Sequence, residues 1–100
     1  MRVHWTETAL GHLDALHRYI AQDSPEYARQ MVDRLIRRSQ QIADFLLSDR
    51  TVPEYAMNNL RQIIEGPYRI IYLIKTEQID IIAVIHGRMD ILRSSEREEV

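Results

Sequence analysis

Between Tyr68 and Asp90 the sequence YRIIYLIKTEQIDIIAVIHGRMD sets Arg69, His86 and Arg88 at the ends of two otherwise apolar runs. Guanidinium groups grip carboxylates or phosphates in a planar, two-pronged way, and an imidazole with an intrinsic pKa of about 6.5 is the best acid in this set. Two chemistries are therefore open: holding a target's anionic surface, or stabilising charge and delivering a proton during a reaction. A structural reading stands beside them. In it, Arg69 and Arg88 are edge-of-sheet cations paired with Glu54, Glu65 or Asp90, and His86 is a hydrogen-bonded structural histidine.

Strand register decides which of these groups meet, because a slip of one residue sends every side chain to the other face. With a two- or four-residue connection around Glu77 and Gln78, Lys75 opposes Asp80, Leu73 opposes Ile82, Tyr72 stacks on Ala83 and Arg69 opposes His86. A three-residue loop instead sets Lys75 against Ile79. We prefer the first register, since an opposite-charge pair across a sheet is worth roughly 0.2–1 kcal/mol. It gives one apolar face of Tyr68, Ile70, Tyr72, Ile74, Ile81, Ala83 and Ile85, suited to covering helices. The other face carries Arg69, Ile71, Leu73, Lys75, Asp80, Ile82, Val84, His86 and Arg88 and is expected to be exposed at its cationic end. Arg61 joins that end if Glu65-Gly66-Pro67 is a three-residue turn, and a two-residue turn puts it on the core side. The cost of burying an unpaired arginine favours the exposed choice.

The elements that position these residues follow from periodicity. Val3 and Trp5 alternate with Arg2 and His4 as a short first strand. Thr6 or Thr8 then caps a helix over about 7–22, with Ala9, Leu13, Leu16 and Ile20 on one stripe. Ser24 and Pro25 start a second helix, whose apolar spacing runs from Ala28 through Leu35, Ile36 and Ile42 to Leu46. Residues 48–59 form the main loop. Strands at Leu60–Ile64, Tyr68–Thr76 and Ile79–Ile85 follow as an antiparallel meander. The order β-α-α-β-β-β describes an α+β domain, a helical hairpin packed on one face of an antiparallel sheet. Residues 1–93 form that domain and 94–100 a charged tail.

Composition limits the function. The chain has 100 residues, no cysteine, thirteen Lys+Arg against fifteen Asp+Glu, and a net charge of −2. It lacks the general cationic excess of proteins that displace counterions from nucleic acid. Residues 1–93 carry twelve charges of each sign, and twelve of the thirteen cations are arginine. That bias favours planar binding contacts over lysine-based proton chemistry. The absence of cysteine rules out thiolate zinc and disulfides, and no apolar signal or membrane-spanning run is present, so a soluble cytoplasmic protein is expected. His4, His12 and His17 lack ligand spacing, so no metal is expected, and no cofactor is implied. No Gly-rich phosphate loop or nucleophile elbow occurs. Arg29, Arg34, Arg37 and Arg38 read as the wet side of the second helix.

Several stretches, in this order and spacing, resemble the RelE/ParE superfamily of bacterial toxins of type II toxin–antitoxin systems. They are VHWTETALGHLDALHRYIAQDSPEYARQMVDRL, VPE, LRQIIEGPYRIIY and IIAVIHGRMDIL, together spanning about residues 2–92. YRIIY and VIHGRMD are most similar to ParE-type sequences, with Met89 standing where that branch commonly has a second arginine. The resemblance implies a toxin that inhibits DNA gyrase and is neutralised by a cognate antitoxin, with Arg61, Arg69, His86 and Arg88 as candidate target contacts. It also implies that acidic antitoxin groups pair with Arg37 and Arg38. The alternative is the RelE-type activity, ribosome-dependent mRNA cleavage. Glu54 would then be the base, Arg61 and Arg69 the phosphate clamps and His86 the acid.

Overall fold

A computed structural model describes residues 2–44, 50–51 and 59–87. Strand β1 (Arg2–Trp5) leads into helices α1 (Glu7–Ala21) and α2 (Pro25–Gln40) and a 3-10 turn at Ile42–Asp44. Strands β2 (Arg50–Thr51), β3 (Leu60–Glu65), β4 (Tyr68–Ile74) and β5 (Gln78–His86) follow. This is the expected order, with a two-residue edge strand added. The sheet order is β1-β5-β4-β3-β2. One expectation needs correction: β1 runs parallel to β5, so the sheet is mixed.

Local chemistry accounts for the helix starts. The Thr6 hydroxyl accepts from the Ala9 N–H and donates to the Ile81 carbonyl, so one side chain both caps α1 and ties it to β5. The Ser24 hydroxyl accepts from the Tyr27 N–H, with Pro25 in the first turn, where its missing N–H costs nothing. Helix α2 ends at Gln40, earlier than its apolar spacing implies. Ile42, in the 3-10 turn, still reaches the core, and Leu46 lies outside the described residues.

The main core lies between the helices and the sheet. It joins Ala9, Leu13, Leu16, Met31 and Leu35 to Ile63, Ile70, Tyr72, Ile79, Ile81 and Val84. Each fully buried aliphatic side chain here contributes roughly 1.5–3 kcal/mol of transfer free energy. Trp5 enters from β1, and its indole N–H donates to the buried Ser39 hydroxyl, which donates to the Ile36 carbonyl. The other side of the sheet holds a second cluster of Leu60, Ile71, Ala83 and Ile85, flanked by Leu73 and Ile82. That side is buried where the sequence suggested an open surface.

The β4–β5 register differs from the expected one. The two-residue connection is Thr76 and Glu77, closed by the Lys75 N–H on the Gln78 carbonyl at 2.9 Å. Near the turn, Leu73 faces Asp80 and Tyr72 faces Ile81; a shift then sets Ile71 against Ala83, with Ile82 as the extra residue. Beyond this bulge Arg69 faces Ile85 and Tyr68 faces His86. Arg69 and His86 therefore lie on opposite faces, contrary to the proposed pairing. A bulge reverses side-chain alternation in the strand that carries it, and preserving that alternation was the assumption that failed. Ala83 and Ile85 accordingly leave the helix side, while Val84 and His86 join it.

Arg61 needs a matching correction. Glu65 pairs with Tyr68 across a two-residue Gly66-Pro67 turn, which places Arg61 beside Tyr72 on the helix side. Gly66 has φ of +58°, and proline follows it, which fits a type II′ hairpin turn.

Candidate functional site

The residues singled out in sequence do not assemble into one site among those described. Arg69, 7% exposed, sits on the second face beside Ile85, and Arg61 is half-buried on the helix side. His86 is exposed at the end of β5, its ring edge-on to Tyr68 with centroids 6.2 Å apart. Glu54 and Arg88 lie outside the described residues, as do Asp90 and the 94–100 tail. Among the described residues, the sheet therefore separates Arg69 from Arg61 and His86.

A different group does converge. Arg34 and Arg38, one turn apart on α2, reach over the β3–β4 turn to Glu65. Arg34 holds a single carboxylate oxygen, Oε2, through Nη2 at 2.6 Å and Nε at 3.2 Å. Arg38 Nε lies 3.6 Å from the other oxygen, and its Nη1 donates to Gln41 Oε1 at 3.4 Å. Arg37, on the same turn of α2, donates from Nε to the Asp33 carbonyl. With Gln41 these groups line an open groove of about 260 Å³. The sequence offers Glu65 as a partner for Arg69 or Arg88; in the structure it pairs with Arg34 and Arg38. The readable signal was the i, i+4 spacing of Arg34 and Arg38; what was missing was the two-residue turn that orients Glu65 towards them.

An aromatic patch adjoins this groove on the same side. Tyr19 is 72% exposed and Tyr27 46% exposed. Burial raises the Tyr68 phenol above its ordinary pKa, and the nearby Tyr27 and Tyr19 phenols raise it further. Gly66 lies close against α2, since a Cβ there would lie 3.4 Å from Arg34 Nη2 and 3.7 Å from the Met31 methyl. The turn can pass this close to α2 because it presents glycine.

At the far end of β5, Asp80 accepts from Lys75 Nζ at 2.6 Å, Gln78 Nε2 at 2.6 Å and His4 Nδ1 at 3.3 Å. The Lys75 hydrogen bond comes first among the causes that hold its carboxyl below the ordinary range; burial opposes it, and Gln78 and His4 assist. The expected Lys75–Asp80 attraction is thus realised on a diagonal. The His4 contact fastens β1 to β5, and those of Lys75 and Gln78 hold the β4–β5 turn. Among the described residues, no three His, Cys, Asp or Glu side chains could share a metal ion. No described helix is long and apolar enough to cross a membrane.

The family model described as the ParE toxin of type II toxin–antitoxin system, parDE, matches residues 3–91. This chain belongs to the ParE toxin family. Solved structures agree on its fold. A chain from the chromosomal ParDE toxin–antitoxin system of P. aeruginosa superimposes with a TM-score of 0.71 at 21% identity, covering 86% of this chain and 95% of that one. A chain from the toxin–antitoxin complex RelBE2 of Mycobacterium tuberculosis gives a TM-score of 0.55 at 20% identity, covering 85% and 95%. A search of curated proteins finds no match. ParE membership makes the chain a type II toxin–antitoxin toxin. The Arg34–Glu65–Arg38 cluster and the exposed His86 both lie on the helix side of the sheet.

Proposed function

We propose that this ParE-family toxin acts by binding, inhibiting DNA gyrase, and that a cognate antitoxin neutralises it. The observation that carries this choice over RNA cleavage is the separation of Arg69 from His86 by the β5 bulge. General acid catalysis needs the acid and the charge-stabilising groups around one reacting phosphate, whereas a binding surface can use them independently. His86, at the end of β5, and Arg88, which follows it in sequence, serve as target contacts. Arg69 supports that end from the buried face, and Arg61, opposite Tyr72 on the helix side, contributes a separate contact further along the sheet. Arg37 and Arg38 receive acidic groups of the antitoxin, whose binding would put the toxin out of action.

The test is an assay of purified toxin with gyrase, ATP and relaxed plasmid. Loss of supercoiling with accumulation of cleaved plasmid is the expected result. A toxin that leaves both gyrase reactions untouched while cutting ribosome-bound mRNA would overturn the reading in favour of the RelE-type endonuclease.

A further inference from the structure

We infer that Tyr68 and Gly87 are positioning residues that hold His86 ready for target contact, one through its ring and the other through the backbone of the β3–β4 turn. This inference rests on the reading of His86 as a target contact and adds the residues that place it. The bulge at Ile82 turns His86 to the helix side, where Tyr68 lies directly across the ladder. Side chains directly opposite in an antiparallel pair start about 4.5–5.5 Å apart at Cβ, near enough for two rings to meet. These rings meet edge to face, with centroids 6.2 Å apart and planes at 78°, an arrangement that ring quadrupoles favour. Tyr68 is half-buried and His86 exposed, so the tyrosine is the anchored partner and the histidine the presented one.

The backbone closes the same end. The Gly87 N–H donates to the Pro67 carbonyl at 2.7 Å, one step past the Tyr68–His86 pair. Pro67 has no N–H to give in exchange, so one bond carries the closure of this pair. A Cβ at position 87 would lie 3.3 Å from that carbonyl oxygen and 4.0 Å from Arg69 Cγ, and glycine permits the approach that the bond requires. The turn that offers the carbonyl is itself fastened to α2, because Arg34 grips Glu65, two residues before Pro67. His86 is thus bracketed by a ring on the neighbouring strand and by a following amide tied to an anchored turn. A contact residue that occupies its competent position only part of the time lowers the apparent affinity by that fraction, so this bracket bears directly on binding. Burial, assisted by the Tyr27 and Tyr19 phenols, raises the Tyr68 phenol above its ordinary pKa, so Tyr68 holds the imidazole as an uncharged ring at neutral pH.

The experiment pairs histidine ring resonances of the isotope-labelled, purified toxin with the gyrase supercoiling assay at equal folded concentration. Tyr68→Leu should move the His86 ring signals and weaken gyrase inhibition about two- to tenfold, the factor that one edge-on ring contact supplies. Tyr68→Phe keeps the ring and should restore both. The Gly87 amide should exchange slowly with solvent although the residue is exposed. Gly87→Ala, whose methyl presses on the Pro67 carbonyl, should speed that exchange, move the His86 ring signals and weaken inhibition; it also serves if Tyr68→Leu does not fold. Unmoved His86 signals in Tyr68→Leu, a Tyr68→Phe variant no better than Tyr68→Leu, or full inhibition by a variant whose His86 signals have moved would each overturn the inference. So would a Gly87 amide that exchanges as fast as one in an unfolded chain. A parent toxin that leaves gyrase untouched would sink the target reading by itself, and the ring spectra would still decide whether Tyr68 and Gly87 fix His86.

Discussion

The Val84 N–H donates to Nδ1 of His12 at 3.3 Å, a side chain of α1 completing the edge of β5. Strand β1 reaches only as far as Ile81, so β5 has no strand beside it there, and the helix supplies the acceptor. An imidazole can accept at Nδ1 only with its proton on Nε2, so this contact fixes the neutral tautomer.

Removing that acceptor isolates an amide beside the bulge. His12→Leu is expected to cost about 1 kcal/mol, and His12→Asn, whose side-chain oxygen occupies a similar place, to recover most of it. Urea unfolding midpoints of the two variants check this; equal losses in both would contradict it.

Asp80 ties the toxin's stability to acid. Its folded-state pKa lies below its unfolded value, so its contribution is fully present above the unfolded pKa, about 4, and is lost as pH falls through the folded one. Asp80→Asn should therefore be destabilising at pH 7, with the gap to the parent narrowing below about pH 4. Unfolding midpoints measured against pH give the comparison, and a gap that stays constant on acidification would refute the assignment.

The Gly66-Pro67 turn should tolerate no side chain at its first position. Gly66→Ala forces an L-residue to φ of +58° and is expected to cost about 1–2 kcal/mol, read as a lower denaturation midpoint. The added methyl also meets Arg34 Nη2 at 3.4 Å, so the arginine Nε–H signals should move in this variant.

Arg69 and His86 should act independently. Alanine substitutions at the two positions, compared at equal folded concentration in the gyrase assay, are expected to combine additively within about 0.5 kcal/mol, because the sheet backbone lies between their side chains. Coupling beyond about 1 kcal/mol would mean the two side chains share a partner.

Much of this architecture was legible from local signals. Thr6, Ser24 and Pro25 announced the helix starts, and alternation in Tyr68–Ile74 placed Ile70 and Tyr72 in the main core. What escaped was non-local. Nothing near Ile82 marks a bulge in a run of apolar residues whose two faces are both buried, since either register satisfies the hydrophobic pattern. The parallel docking of β1 was equally hidden, because a four-residue strand pairs either way until its neighbour is known. The site expectation failed with the register: once β5 gains one residue, His86 changes sides. Glu65 escaped for a related reason, as its partners are set by a turn one residue shorter than the preferred reading.

The β1–β5 ladder joins Arg2 to Gln78 and Trp5 to Ile81, so during translation β1 must wait for a strand far later in the chain. At roughly 5–20 residues per second that interval is several seconds, during which neither Trp5 nor the inner side of α1 has its sheet. A prematurely terminated chain lacking β5 would lose the strand that joins β1 to β4 and brings Ile79, Ile81 and Val84 to the main core. Completion of the sheet is thereby withheld until β5 has been translated.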